Sequence, residues 1–282
     1  MRKILITGAN SYVGTNVEKW LMKETDKYYV ETIDMKNPNW KEYDFSRFDV
    51  VFHVAGIAHV STKKNMKDLY FKVNRDLAIE TAIKAKVSGV KLFIFMSSMI
   101  VYNSKESRIT LETKPKPDNF YGLSKFQAEN GILQLQSELF RVAILRPPMI
   151  YGTASKGNFA KLLKFSKSTL VFPNIKNTRS ILYIDNLCKY IIKYIETDSD
   201  GILFPQNKEY FTTSEVVKLI RQVENKRVLL TKLFNWVFLA LKKKNNIINK
   251  IFGSFYYDIE NKVEIDLISL KESIFIILKG QV

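Results

Sequence analysis

The chain has 282 residues, 46% of them hydrophobic and 26% charged, an ordinary globular composition with room for one full domain and a smaller second one. No stretch approaches the ~18 consecutive apolar residues of a membrane span, and MRKILITGAN runs directly into a strand and a glycine turn without a signal-peptide pattern, so a cytoplasmic protein is expected. The formal charge of +16 is spread along the chain and the single Cys188 has no ligand set around it, so neither nucleic acid nor a metal ion is expected as a partner.

From the N-terminus, strand and helix alternate. Arg2 to Thr7 is a β-rich run, Tyr12 to Lys23 has helical spacing, and Tyr29 to Ile33 is again extended. Val50 to Ala55 and Lys91 to Met96 are almost continuously apolar, as strands buried on both faces are, and Leu69 to Lys86 between them predicts a long helix. Such alternation gives a parallel sheet with crossover helices. A polar, proline-bearing stretch from Lys105 to Asp118 leads to a helix from about Tyr121 to Phe140, then the strand Arg141 to Leu145 and the breaker pair Pro147-Pro148.

After Tyr151-Gly152 the rhythm changes. Asn158 to Ser166 reads as helix, Ser180 to Ile184 as extended, and Asp185 to Ile195 as helix; Thr213 to Val223 is helical with Thr213 or Ser214 as N-cap. Leu229 to Leu241 carries apolar residues at helical spacing and is followed by Lys242-Lys243-Lys244, a pattern that packs into a core or lies on a membrane surface. Residues 1–152, with 176–198 returning to them, are therefore expected to form the first domain, and 153–175 with 199–282 the second. There are no internal repeats and no low-complexity linker.

Two places carry chemistry. Directly after the first strand, Gly8-Ala9-Asn10-Ser11-Tyr12-Val13-Gly14 opens a helix. Gly8 allows a tight turn, the N–H groups of the helix start face a pyrophosphate, and Gly14 lets helix and strand pack closely; Ser11 stands where a second glycine is usual. Asp34, about 20 residues further on, would accept the hydroxyls of an adenosine ribose, which favours NAD and leaves NADP open beside Lys36. The second place is Tyr121-Gly122-Leu123-Ser124-Lys125, which sets a phenol and an ammonium four apart on one helix face. The adjacent ammonium and a positive nicotinamide ring together favour phenolate, so the tyrosine can take a proton from a sugar or alcohol hydroxyl. Ser97-Ser98 ends a buried strand at the sheet's carboxyl edge, where open α/β folds hold their ligands.

Together with His53-Val54-Ala55-Gly56, Asn74, Met99-Ile100-Val101-Tyr102, Arg146-Pro147-Pro148 and Arg179, these residues over roughly 1–190 resemble the extended short-chain dehydrogenase/reductase family in its nucleotide-sugar epimerase/dehydratase branch. The resemblance implies an α/β fold with a Rossmann-type doubly wound parallel sheet and a smaller C-terminal α/β substrate domain. It implies Tyr121 as general acid/base, Lys125 as its activator and ribose holder, and Ser98, by its spacing to Tyr102, as the hydroxyl that orients the substrate oxygen. Gly8, Ser11, Tyr12, Val13, Gly14, Asp34, Asp44, Phe45, Ala55 and Gly56 would bind the dinucleotide with Tyr121 and Lys125, while Ser98, Arg179 and His59 would meet a nucleotide-sugar, a UDP-sugar first among them. The branch's dehydratases carry two acids where this chain has Met99 and Ile100, which disfavours dehydration. What remains is 4-epimerisation of a UDP-hexose or, as the alternative, a 4-ketoreductase of surface-polysaccharide synthesis, both in a homodimer paired through helices. A dinucleotide-sensing regulator without catalysis would not need the trio.

Overall fold

The computed structural model describes residues 1–58, 66–103, 105–233, 235–242, 246–259 and 264–280. In chain order the elements are β1 (Arg2–Thr7), α1 (Tyr12–Leu21), β2 (Tyr28–Ile33), β3 (Val50–His53), α2 (Lys67–Tyr70), α3 (Leu77–Val87) and β4 (Leu92–Met96). There follow β5 (Arg108–Ile109), α4 (Phe120–Leu133), β6 (Arg141–Leu145), β7 (Met149–Tyr151), α5 (Asn158–Ser168), β8 (Val171–Pro173), β9 (Ile181–Tyr183) and α6 (Ile184–Glu196). The last are β10 (Gly201–Leu203), α7 (Thr213–Val223), β11 (Leu229–Thr231), α8 (Asn235–Lys242), α9 (Asn246–Phe252), β12 (Tyr256–Tyr257) and α10 (Leu270–Lys279). No helix among the described residues is long and apolar enough to cross a membrane.

The chain divides into two compact units. The first comprises Met1–Ser104, Lys114–Pro147 and Leu187–Pro205. Its centre is a six-stranded parallel sheet in the order β10-β6-β4-β3-β1-β2. The apolar runs at Val50 and Leu92 are its interior strands, with every side chain buried. The chain winds from β1 outward to β2, then crosses back to β3, so the strand order reverses between β1 and β3. That reversal opens a crevice at the carboxyl ends of those strands, which is where this architecture binds ligands. Leu5, Val51, Phe93, Phe95 and Ile144 from the strands pack with Ala78, Ala82, Ala85, Ala128 and Ile132 from α3 and α4. Alanines on the helices let them lie close to the bulky strand residues.

The second unit comprises Lys105–Thr113, Pro148–Asn186 and Gln206–Val282. It contains three two-stranded parallel ribbons, β11 with β8, β12 with β5, and β7 with β9. Phe172, Ile175, Val217 and Phe252 form one core cluster in it, flanked by Leu162, Val228, Leu230, Phe238 and Ile248.

Several sequence expectations are corrected. The return to the first unit is 187–205 rather than 176–198, because β10 must reach the edge of the sheet beside β6. The stretch Lys105–Asp118 is not all connector, since β5 pairs with β12 in the second unit. The helix from Tyr121 stops at Leu133, and a Ser137–Phe140 bridge buries Phe140 and turns the chain into β6. Leu229–Thr231 is a strand, not the start of a helix, because it pairs with Val171–Pro173. The long helix expected between Leu69 and Lys86 is interrupted by a π-helical turn at Phe71–Asp76, a feature that recurs at functional sites.

Candidate active site

The glycine turn lies at the reversal point. Gly8 has φ +117°, a conformation open to glycine, and a Cβ there would sit 2.8 Å from the Ala55 nitrogen. The Gly8 and Ala9 N–H groups donate to the Ile33 carbonyl, and those of Val54 and Ala55 to the Thr7 carbonyl, so the ends of β1, β2 and β3 are tied together. Ser11 is the N-cap of α1, and its Oγ accepts the Gly14 N–H at 3.1 Å. This accounts for serine in place of glycine. The cap uses a lone pair of the hydroxyl and leaves its proton to donate to a phosphate oxygen. A Cβ on Gly14 would sit 2.6 Å from that same Oγ. The first turn of α1, with Tyr12 and Val13, aims its N–H groups and positive dipole end out of the turn.

Asp34 follows β2 directly and is exposed, its Oδ1 accepting the Lys36 N–H at 2.9 Å. Asp44 is exposed too, and hydrogen bonds from Ser46 hold its carboxyl below the usual range. The Phe45 side chain is fully buried in the core of the sheet, so the backbone is the part of this residue that can border a nucleotide. Gly56 is exposed, and a Cβ there would come within 3.2 Å of Lys125 Nζ and 3.0 Å of Asn74 Oδ1. Asn74, on the π turn, accepts the Ile57 N–H at 2.7 Å and donates to the Ile57 carbonyl and to Ser124 Oγ, which fixes the segment after β3. A tight glycine cradle, a capped helix start and an exposed acid after β2 form a donor set that fits a dinucleotide.

Tyr121, Ser98 and Lys125 lie together at the carboxyl ends of β3 and β4. Asn119 caps α4 by accepting the Gly122 N–H at 2.9 Å. Gly122 then packs so closely on the turn Met99–Val101 that a Cβ would stand 2.4 Å from the Ile100 carbonyl oxygen. That approach sets Tyr121 beside Ser98, whose Oγ accepts the Ile100 N–H at 3.3 Å. Lys125, one helical turn further along, is buried, donates to the Met96 carbonyl at 2.7 Å and lies 4.6 Å from the centre of the Phe95 ring. Burial lowers its pKa to about 8, with the Glu129 charge opposing the drop.

Burial pushes Tyr121 up to about 12, with the Ser98 hydrogen bond opposing the rise. Lys125 by itself does not offset that burial. In the protein by itself Tyr121 is a neutral phenol, suited to giving a proton. Acting as a base requires further positive charge beside it.

Ser97 and Ser98 are separated by what they bind. Ser97 Oγ donates to Glu129, whose carboxylate is also held by Arg146 through Nε at 3.1 Å and Nη2 at 2.6 Å. Arg146 Nη1 donates in turn to the Tyr102 hydroxyl at 2.8 Å. All four side chains are buried. Glu129 is the residue that sequence reasoning missed. Its signal was its place four residues beyond Lys125 on the same helix face, together with an arginine ending an apolar strand, since a buried charge needs a buried partner.

His53 is also buried. Its Nδ1 shares a hydrogen bond of 2.7 Å with Thr7 Oγ1, and its ring stacks between Phe93 and Phe95. Arg179 belongs to the second unit, where it is half-buried, pairs with the Phe211 and Phe255 backbones, and donates to the Gly253 carbonyl at 3.0 Å. His59 lies outside the described residues. Met99 is buried and Ile100 half-buried, so neither can supply the acid that dehydration needs.

The model of the NAD dependent epimerase/dehydratase family matches residues 4–203. The chain is 28% identical to a UDP-glucose 4-epimerase of Vibrio cholerae over 93% of its own length and 89% of the relative's. It is 25% identical to an N-acetyl-α-D-glucosaminyl-diphospho-ditrans,octacis-undecaprenol 4-epimerase of Escherichia coli O157:H7, over 80% and 73% of the two chains. Among solved structures, a UDP-glucuronic acid 4-epimerase from Bacillus cereus in complex with NAD superposes with TM-score 0.75 at 19% identity, covering 97% of this chain and 94% of that one. A dTDP-4-dehydrorhamnose reductase from Bacillus anthracis in complex with NADP gives TM-score 0.74 at 19% identity over 99% and 100%. The matched region takes in the six-stranded sheet, the glycine turn and the serine, tyrosine and lysine at its edge: the chain belongs to the NAD dependent epimerase/dehydratase family.

Proposed function

We propose that this enzyme is a UDP-hexose 4-epimerase with Ser98, Tyr121 and Lys125 as its catalytic residues. The observation that carries the reading is the buried Lys125, held by the Met96 carbonyl one helical turn from Tyr121 and beside Gly56 at the glycine-lined edge of the sheet. A nicotinamide held beside Tyr121 and Lys125 would supply reversible hydride transfer at the sugar C4 and a positive charge that favours the phenolate of Tyr121. Tyr121 takes the C4 hydroxyl proton and gives it back to the same oxygen after the sugar has turned. Ser98 holds that oxygen, and Lys125, fixed by the Met96 carbonyl, holds the nicotinamide ribose. Asp34 accepts ribose hydroxyls, the turn from Gly8 to Gly14 receives the pyrophosphate, and Asp44, Ala55 and Gly56 border the dinucleotide. Arg179 binds the nucleotide half of the substrate. The family-level agreement with a UDP-glucose 4-epimerase over most of both chains supports the choice of sugar nucleotide.

One observation favours a second reading. Burial keeps Tyr121 a neutral phenol in the protein by itself, and the protonated form is the one from which a nucleotide-sugar 4-ketoreductase starts. The test is to purify the protein and supply UDP-galactose without added cofactor. The epimerase reading expects UDP-glucose to form on nucleotide carried through purification. Turnover only of a 4-keto sugar with added reduced cofactor would replace it with the reductase. We further propose a cytoplasmic homodimer paired through helices that include α4, in keeping with the exposed Ile83 and Val87 on α3, its neighbour in the first unit.

A further inference from the structure

The second unit carries a surface that the chemistry above does not use. In the ribbon of β8 and β11, Phe172 and Leu230 face the core cluster, so strand alternation turns their neighbours outward. Val171 and Leu229, directly paired across the ribbon, are 53% and 64% exposed, and Leu170 beside them is 71% exposed. Just beyond the ribbon, Leu233 is 70% and Trp236 71% exposed. Leu233 is tied back to the end of β11 by donating its N–H to Thr231 Oγ1 at 3.2 Å, and Asn235 donates to the Asn174 carbonyl after β8 at 2.7 Å. The protruding end of α8 is therefore fastened to the ribbon, while Phe238 on the same helix packs into the core.

The charge of the chain is concentrated on these same segments. Residues 148–184 contain six basic and no acidic side chains, and residues 225–257 contain seven and none, leaving 31 basic against 28 acidic in the other 212. Nearly all of the +16 thus comes from the two stretches that build the ribbon and α8. The carboxylate beside the ribbon, Glu224, is bridged by Lys167 and Lys226, and the exposed Arg227 and Lys232 stand at the two ends of β11.

We infer that the outer face of the β8–β11 ribbon and the leading end of α8 dock on an anionic lipid bilayer. Exposed leucines and a tryptophan with Arg227 and Lys232 at the two ends of β11 suit the headgroup layer, where the apolar side chains enter and the cations meet lipid phosphates. A protein partner would ask for acids as well as bases on such a face, and a nucleic acid would leave the leucines unused. The proposal rests on this surface alone and is independent of the reaction catalysed.

The test is flotation of the whole protein with vesicles of phosphatidylcholine alone and of phosphatidylcholine with phosphatidylglycerol at about 3 to 1, at low and high salt. Wild type is expected to float with the anionic vesicles, not the neutral ones, and to be released by salt. The double variant Leu233→Ser, Trp236→Ser should bind at least about tenfold more weakly, and Arg227→Gln and Lys232→Gln about fivefold each. All are surface changes and should keep the wild-type Tm and sugar turnover. No flotation, equal flotation with both vesicles, or unchanged flotation of the double variant overturns the proposal. So does sedimentation showing that the face joins two copies of the chain, with the double variant monomeric and no vesicle bound by either.

Discussion

At the residue scale, the assignment turns on which hydroxyl does what. Ser98 and Ser97 are neighbours, yet one reaches Tyr121 and the other is spent on Glu129. Ser98→Ala is therefore expected to lower kcat by about 10²-fold or more with little change in Tm. Ser97→Ala should cost about 1–3 kcal/mol of stability and leave kcat within a few-fold. Steady-state kinetics alongside denaturant melts separate the two, and the reverse pattern would exchange their roles. His53 gives a pH prediction. Burial drops it to about 3 from an ordinary value near 6.5, so between those pH values the unfolded chain binds a proton that the native one excludes. Stability then falls as the pH falls through that window, by about 1.4 kcal/mol per pH unit from this group. Urea melts of wild type and His53→Gln from pH 6.5 to 4 should show the shallower slope in the variant.

The same scale shows what was legible in the sequence. Tyr121 and Lys125 were visible because a helix period relates them, whereas the end of the apolar strand offered Ser97 and Ser98 alike and only the resemblance, by the spacing to Tyr102, pointed to Ser98. The Glu129–Arg146 pair was hidden because its partners lie 17 residues apart on a helix and a strand, with no shared period.

At the element scale, α4 depends on a glycine and a buried ion pair. Gly122→Ala would push a methyl to 2.4 Å from the Ile100 carbonyl oxygen and force the helix start off the Ser98 turn. The expectation is a loss of kcat by about 10²-fold, a consequence of displacing reacting groups by an ångström, with bound dinucleotide retained. Wild-type turnover in that variant would show that the close approach is not required. Arg146→Leu leaves Glu129 charged and unpaired in the core and should cost about 3–5 kcal/mol, read by thermal or urea melts. Five strands of the first unit were readable because they are four to six residues long, flanked by helices; the three-residue β10 was not. Of the ribbon strands in the second, only β9, within the expected extended run Ser180 to Ile184, was readable. Two- and three-residue strands carry no alternation, and β5 finds β12 across nearly 150 residues of chain. Leu229 to Leu241 illustrates the failure, since its helical spacing holds only from Asn235 onward.

At the scale of the whole molecule, the two units divide the work that the composition records. The first holds the glycine turn, the trio and the strand reversal that positions both, and the second holds most of the excess positive charge. A charge of +16 reads as diffuse when counted along the chain and becomes local once the parallel ribbon brings residues 171–173 beside 229–231. The central claim is that the sugar C4 is oxidised and re-reduced on one enzyme-held dinucleotide, with Tyr121 moving the proton. Its most direct test is turnover of UDP-galactose carrying deuterium at C4, followed by mass analysis of the UDP-glucose formed. The account predicts full retention of deuterium in the product and loss of turnover in Tyr121→Phe with dinucleotide still bound. Washout of the deuterium, or interconversion that survives in Tyr121→Phe, would contradict it.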